Sequence, residues 1–232
     1  MTNGGKDSGA INQNLRLYEK DLTLKLALAL EKVLKEQGID TVMTRRTDVT
    51  MNYVPRYQLE NKNKCDLGVS IHLNSSGVPN TARGCEIWVH SRAVESVMNW
   101  ANSMLTEILK VNGTANRGVK KGFPSKPNLD FWCNRLTKAP TMLIELGFIN
   151  SDFDAKLVQN NIDNYAIAMA KGICKELGVE YKDVANETYE FKIKNLNNKN
   201  LPFLLDTKMA TGERFEDWLK RQGYRYEVIV NK

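Results

Sequence analysis

One histidine and two glutamates are the residues whose positions could support metal and acid–base chemistry. His72 directly follows the apolar segment 67–71, and Glu145 directly follows the apolar segment 141–144. Glu19 lies near the start of a long amphipathic segment, on the side that its apolar residues share. Ligands of open α/β sheets bind where the strands end, and a helix that follows a strand begins at that same edge. The sequence therefore predicts that the three side chains meet at one place, as a metal site with a base requires.

Each of these residues also has a structural interpretation. A histidine at a strand end is commonly packed or solvated, and the helix dipole favours a first-turn glutamate such as Glu19. Glu145 is harder to explain in this way, because a carboxylate between an apolar strand and Leu146-Gly147-Phe148 is costly to bury without a role. Three separate structural explanations would have to hold together, which favours a functional site.

The elements that must position these residues alternate between helix and strand. Periodic apolar residues and an early proline predict four helices, at 14–37, 55–64, 93–111 and 161–177. Short apolar runs predict four strands, at 41–44, 67–71, 85–89 and 141–144. This alternation predicts an α/β fold with a mostly parallel twisted sheet and helices on both faces. Residues 112–139 are predicted to be an irregular loop, and loops of that length are commonly functional.

The composition changes after Tyr181, which predicts a second unit. Residues 1–181 form the predicted main domain, residues 182–186 a polar linker, and residues 187–232 a small β-α-β module without histidine or cysteine. An apolar face this small gives only marginal stability by itself. The module is therefore expected to pack on the main domain or on a second copy. Cell-wall targeting and oligomerisation are both open for it, and no catalytic residue is predicted there.

Composition excludes several classes of protein. The 232 residues are 42% hydrophobic and 26% charged, which argues against fibrous and disordered chains. No apolar run approaches the roughly 18 residues of a membrane-spanning helix. Residues 1–5 lack the pattern of a secretory signal, so synthesis in the cytoplasm without a signal peptide is expected. The four cysteines are scattered without a Cys-x-x-Cys pair, which disfavours zinc ribbons and thioredoxin-type sites.

The net charge of +6 fits an anionic partner without identifying one. A cell-wall polymer and a nucleic acid are both compatible with it. The chain has no stripe of Lys and Arg with interleaved aromatic residues, so nucleic acid is not a predicted partner.

Seven short motifs follow one another along about residues 3–178: Gly4-Gly5-Lys6-Asp7-Ser8-Gly9-Ala10, Glu19-Lys20-Asp21, Thr44-Arg45 with Asp48, Arg56, Ser70-Ile71-His72-Leu73-Asn74, Gly84-Cys85-Glu86-Ile87-Trp88, and Leu143-Ile144-Glu145-Leu146-Gly147-Phe148-Ile149-Asn150. In this set and order the chain resembles the zinc-dependent N-acetylmuramoyl-L-alanine amidases of the Amidase_3 type, found in bacterial autolysins and phage endolysins. No single motif is decisive, but the ordered set is specific.

The resemblance implies an activity and a role for each site residue. Such enzymes cleave the amide between N-acetylmuramic acid and L-alanine of peptidoglycan, with water activated by a zinc ion that two His and one Glu hold. By motif, Glu19 is the implied carboxylate ligand, His72 the second His ligand and Glu145 the general base. Asn74 matches a position that either contacts substrate or holds the loop. Zinc with three protein ligands keeps an open position for that water.

One departure from the family pattern affects the metal site. The family begins with an apolar strand ending in Gly-His-Gly-Gly, whose His is the first zinc ligand, and Asn3 stands at that position here. The only other histidine, His90, matches no family ligand and is interpreted as structural. The zinc site is therefore expected to be incomplete and the chain impaired. An N-terminally shortened enzyme, a divergent member and a non-catalytic wall-binding module of the same fold are all open.

The resemblance also implies where the protein acts. Peptidoglycan is the expected partner, reached at the cell wall after release from the cytoplasm, with phage or bacterial origin undecided. A missing first strand would leave a sheet edge exposed. A homodimer through that edge, or through the C-terminal module, is therefore left open.

Overall fold

The computed structural model describes residues 4–183, apart from residues 112 and 124. The strands β1 to β6 of this part are Ile11–Asn12, Leu17–Tyr18, Gly68–Asn74, Cys85–Val89, Asn116–Lys121 and Thr141–Phe148. The helices α1 to α6 are Glu19–Glu36, Tyr53–Asn63, Glu95–Leu109, Trp132–Leu136, Asp152–Asn160 and Ile162–Glu176, and Pro127–Leu129 forms a 3₁₀ turn. Asn3, the predicted module 187–232 and most of the linker before it lie outside the described residues.

Four strands form the central sheet, in the order β3-β6-β4-β5. β3 runs parallel to β6 and β4 runs parallel to β5, whereas β4 and β6 are antiparallel. The short strands β1 and β2 pair with each other just before α1. The predicted α/β fold is thus confirmed, with a sheet that is mixed at its centre.

The two faces of the sheet have different environments. Met142, Ile144 and Leu146 of β6 belong to the main apolar core, which α1, α3 and α6 complete. Leu143 and Glu145 alternate with them and point to the opposite face, where α4 and α5 contact β6. No helix in the described part of the chain has the length and apolar character to cross a membrane.

Three expectations from the sequence need correction. Residues 41–44 are not a strand, because no described neighbour forms a ladder of hydrogen bonds with them. Residues 112–139 are not simply irregular: they contain β5, the 3₁₀ turn and α4. The strands β3 and β6 are longer than predicted, so His72 and Glu145 lie within strands rather than after them.

Asp154 fixes the strands that carry the site. Its carboxylate is 2% exposed, and Oδ2 accepts hydrogen bonds from the backbone N–H of Gly84 at 2.8 Å and of Phe148 at 2.9 Å. These two residues lie at the start of β4 and the end of β6, the ends that face each other in the antiparallel pair. One side chain therefore ties the two central strands together.

We expect Asp154→Ala to lower the free energy of unfolding by about 2–4 kcal/mol, because it leaves two buried N–H groups without an acceptor. Urea denaturation followed by circular dichroism measures this change. The matched control is Asp163→Ala, which removes an exposed carboxylate from α6 and should cost less than about 1 kcal/mol. Equal losses for the two variants would contradict this assignment.

Candidate functional site

Three titratable side chains form one row across the sheet. His72 of β3 pairs with Glu145 of β6 in the parallel register, and Glu145 pairs with Glu86 of β4 in the antiparallel register. Residues that pair directly across neighbouring strands present their side chains on the same face, about 5 Å apart. The sheet therefore places an imidazole and two carboxylates side by side on the face opposite the main core.

Glu19 reaches the row from the first turn of α1. Its carboxylate is fully buried, with Oε1 2.9 Å from Nδ1 of His72 and Oε2 accepting from the N–H of Ala10 at 2.9 Å. The N–H of Leu73 also donates to Oε1, at 3.3 Å. Burial alone would raise the pKa of Glu19, but His72 and the backbone donors outweigh it, so the pKa lies below its ordinary value. Glu19 is thus held as a carboxylate against the imidazole.

Glu145 has the opposite electrostatic environment. Its side chain is 6% exposed, and Oε2 has no hydrogen-bond partner among the described residues. Burial, together with the negative charges of Glu19 and Glu86, raises the pKa of Glu145 to about 8. A carboxyl group with a pKa near neutrality and an unpaired oxygen is suited to accept and return a proton.

Glu86 carries the densest set of hydrogen bonds in the row. Oε1 accepts from Asn74 Nδ2 at 3.1 Å and from Trp88 Nε1 at 2.9 Å, and Oε2 accepts from Arg117 Nε at 2.7 Å and Lys120 Nζ at 2.6 Å. Burial would raise the pKa of Glu86, but the two cations outweigh that effect and lower it. Glu86 is therefore an ionised, fully paired neighbour of Glu145.

The sequence interpretation assigned no role to Glu86. It lies within the apolar run 85–89, so the argument about burial cost that singled out Glu145 applies to it equally. Arg117 and Lys120 gave no such signal, because they fall in a segment expected to be irregular.

Two other polar residues have structural partners. Asn74 donates to Glu86 and accepts from the N–H of Ser75 at 2.7 Å, so both ends of its amide are engaged within the fold. Contact of Asn74 with substrate stays a prediction. His90 accepts from the N–H of Arg92 at 2.9 Å through Nδ1, and its Nε2 lies 3.6 Å from Asp130. These contacts agree with the structural interpretation of His90.

The glycine-rich motif at residues 4–10 is hydrogen-bonded to the segment at residues 48–50. The N–H of Gly5 donates to Asp48 Oδ1 at 2.6 Å, and the N–H of Lys6 donates to Thr50 Oγ1 at 3.0 Å. Lys20, next to Glu19 on α1, donates to Asp48 Oδ2 at 2.6 Å. Gly5 has a φ of 58°, and a Cβ there would clash with Thr50 Oγ1. The loop that leads towards Glu19 is thereby fixed beside the start of α1.

The donors present fit two ligands of a zinc ion. A tetrahedral zinc bound at about 2.0 Å by nitrogen and oxygen keeps the two donor atoms roughly 3.3 Å apart. The 2.9 Å between His72 Nδ1 and Glu19 Oε1 needs only a small opening to reach that spacing. Within the described residues no group of three His, Cys, Asp or Glu could hold a metal ion. The described part of the chain therefore offers two donors that could bind zinc, one fewer than the three protein ligands of a catalytic zinc site.

Comparison with solved structures identifies proteins that share this fold. An N-acetylmuramoyl-L-alanine amidase from Clostridium difficile 630 shares the fold with a TM-score of 0.70 and 28% identity, over 77% of this chain and 94% of that one. The catalytic domain of CwlV, N-acetylmuramoyl-L-alanine amidase from Bacillus (Paenibacillus) polymyxa, has a TM-score of 0.68 and 29% identity, over 77% of this chain and 95% of that one.

Sequence relatives lead to the same family. The N-acetylmuramoyl-L-alanine amidase CwlM of Bacillus licheniformis is 30% identical over 176 residues, which cover 74% of this chain and 64% of that protein. This chain thus spans less than two thirds of that relative's length. Residues 1–175 match the family described as N-acetylmuramoyl-L-alanine amidase, Amidase_3. The chain belongs to the N-acetylmuramoyl-L-alanine amidase family.

Proposed function

We propose that the protein hydrolyses the amide bond between N-acetylmuramic acid and the L-alanine of the peptidoglycan stem peptide. Family membership supports the reaction class. The observation that carries the proposal is the buried Glu145, with an unpaired carboxyl oxygen beside the His72–Glu19 pair. That arrangement places a proton acceptor next to two side chains that can bind a cation.

Glu145 acts as the general base in this proposal. Its ionised form takes a proton from the attacking water, and the resulting carboxylic acid gives the proton to the leaving amine of L-alanine. Burial and the charges of Glu19 and Glu86 raise the pKa of this carboxyl to about 8, so the protonated form dominates at neutral pH and a minor fraction is ionised. Proton uptake and proton release by the same group are then both feasible.

Glu19 and His72 would hold the zinc ion, and zinc when bound supplies a polarised water at neutral pH. The backbone N–H groups of Ala10 and Leu73 orient the Glu19 carboxylate, so this ligand needs little rearrangement. A site with two of three ligands binds zinc weakly, because each missing ligand removes a large share of the binding free energy. We propose that the chain is impaired for this reason.

A wall-binding module of the same fold is the second candidate. The shortage of metal ligands among the described residues favours it. The buried Glu145 argues against it, because a buried carboxyl oxygen without a hydrogen bond has a cost that a binding module would not need to carry. In both cases peptidoglycan is the proposed partner and the cell wall the proposed site of action. Homodimerisation stays a prediction.

Digestion of purified peptidoglycan in the presence of zinc tests the proposed bond. We expect a slow increase in L-alanine amino termini, detected by amine labelling and mass spectrometry, with no increase in reducing sugar ends. A chelator that removes zinc should abolish the increase. New reducing ends in place of new amino termini would identify a glycosidase and contradict the proposal.

A further inference from the structure

We propose that Arg117 and Lys120 form a binding site for a carboxylate on the substrate's peptide, close to the scissile bond. The inference rests on the proposed function and adds a specificity determinant to it. The site lies at the far end of the polar row, on the side of Glu86 away from Glu145 and the metal ligands.

An irregularity in β5 brings both cations to the row. Cys85 pairs with Asn116, and Ile87 pairs with Val119, so two residues of β5, Arg117 and Gly118, lie opposite Glu86 alone. This is a β-bulge. In a regular strand, residues 117 and 120 would point to opposite faces because the side-chain period is two. The bulge shifts that alternation, and both side chains reach Oε2 of Glu86.

Gly118 makes the bulge possible. Its φ is 83°, in the left-handed region where residues with a Cβ are strained. Apart from its chain neighbours, no described residue has an atom within 4 Å of the position that a Cβ would take there. The glycine is therefore needed for backbone conformation rather than for close packing. The bulge at this glycine therefore directs both cations of the edge strand towards Glu86.

Each cation is held in place from two sides. The Arg117 guanidinium lies between Glu86 and the Phe148 ring, with 5.0 Å from its Cζ to the ring centroid. The Lys120 ammonium lies between Glu86 and the Trp88 ring, at 5.1 Å from the centroid. Both side chains still expose about a third of their surface, 37% for Arg117 and 33% for Lys120. They are fixed by the fold and open to a ligand.

The charges in this cluster do not cancel. One carboxylate, Glu86, faces two cations, which leaves one positive charge at a partly exposed position. Arg117 uses Nε for Glu86, so the guanidinium keeps donors of its fork for another acceptor, and the Lys120 ammonium has three N–H donors in all. A carboxylate is the acceptor that matches this geometry and charge.

The spacing places this carboxylate near the start of the peptide. Glu145 and Arg117 are two strands apart, which corresponds to about 10 Å at the usual strand separation. Two residues of extended peptide span about 7 Å, and a carboxylate group adds the remainder. The site therefore suits an acidic second residue of the stem peptide when the bond to its first residue lies at Glu145.

The test compares two N-acetylmuramoyl tripeptides that differ only in one group on the second residue, a free carboxylate or a carboxamide, with the C-terminus amidated in both. Binding to Glu145→Gln protein, which should not turn them over, is measured by calorimetry. We expect the carboxylate form to bind about 10-fold more tightly or better. The ratio of the affinities for the carboxylate and carboxamide forms should fall towards one when Lys120→Gln or Arg117→Gln is added. Lys120→Arg should retain most of the preference for the carboxylate.

Lys121→Gln is the matched control, because Lys121 lies on the same strand but donates to the carbonyl of Ala93. Its preference for the carboxylate tripeptide should equal that of the Glu145→Gln protein without a further substitution. The ratio of the two affinities is taken within each variant, so a loss of folded protein does not imitate the effect. Equal binding of both tripeptides by the Glu145→Gln protein without a further substitution would overturn this inference and leave the proposed function untouched. Failure to bind either tripeptide would contradict the proposed function on which the inference rests.

Discussion

Replacing Asn3 with histidine is expected to tighten zinc binding by about 100-fold or more. Glu19 and His72 already offer a carboxylate oxygen and an imidazole nitrogen 2.9 Å apart. The resemblance of residues 4–10 to the family's first motif aligns Asn3 with the first histidine ligand of that family. A neutral amide oxygen is a poor zinc ligand, whereas imidazole is among the best. A third protein ligand adds several kcal/mol to the binding free energy, which corresponds to this change in affinity.

Competition with a fluorescent zinc chelator measures the affinity. Asn164→His is the control, because it adds a histidine at an exposed position of α6 and should leave the affinity unchanged. Adding His72→Ala to Asn3→His should remove the gain. Tight binding of one zinc per unmodified chain would contradict the proposed site, as would an equal gain from the control.

The second large effect is expected on the free energy of unfolding when Glu145 is replaced. In zinc-free protein, Glu145→Gln should raise the free energy of unfolding at pH 7 by roughly 2–4 kcal/mol. The pKa of Glu145 is raised from 4.5 to about 8 by burial and by its two acidic neighbours. Gln resembles the neutral acid in shape. At pH 7 the wild-type protein must on folding either bury a charged carboxylate or take up a proton, and the Gln variant avoids both costs.

The sign of the pH dependence follows from the raised pKa. Below pH 4.5 the carboxyl is protonated in both states, and the substitution has little effect. Between pH 4.5 and about 8 the unfolded chain is ionised while the folded protein keeps the proton, so wild-type stability falls as pH rises. The gain from Glu145→Gln should therefore grow from pH 4 to pH 8. The exposed Glu36→Gln is the control and should show no such trend.

Chemical denaturation at several pH values, with a chelator present, gives these free energies. A gain that is equal at pH 4 and pH 8 would show that Glu145 is not forced to hold its proton. A gain of similar size for Glu36→Gln would assign the effect to net charge rather than to burial.

The sequence predicted the centre of the site because it depends on regular strands. His72 and Glu145 follow apolar runs, and the parallel pairing of those runs places the two residues opposite each other. Glu19 begins the helix that the sequence pattern indicated, and it meets His72. Each of these positions follows from local periodicity and the common edge of an α/β sheet. Their chemical roles stay predictions.

The outer half of the row could not be predicted in the same way. β5 is an edge strand of mainly polar residues, and it pairs on one side with β4. Its sequence does not alternate between apolar and polar residues. The bulge at Gly118 also changes the faces to which its side chains point, so a period of two would not predict them. The meeting of Arg117 and Lys120 with Glu86 depends on that tertiary pairing. No local pattern in the sequence encodes it.

The most direct test of the proposed mechanism is the rate at which L-alanine amino termini appear when Asn3→His protein digests peptidoglycan with zinc, with and without Glu145→Gln. We predict release by the protein that retains Glu145. In the variant that also carries Glu145→Gln, release should fall by about 10²–10⁴-fold, the usual contribution of a general base. Equal rates with and without Glu145, or no release by either protein at saturating zinc, would contradict the mechanism.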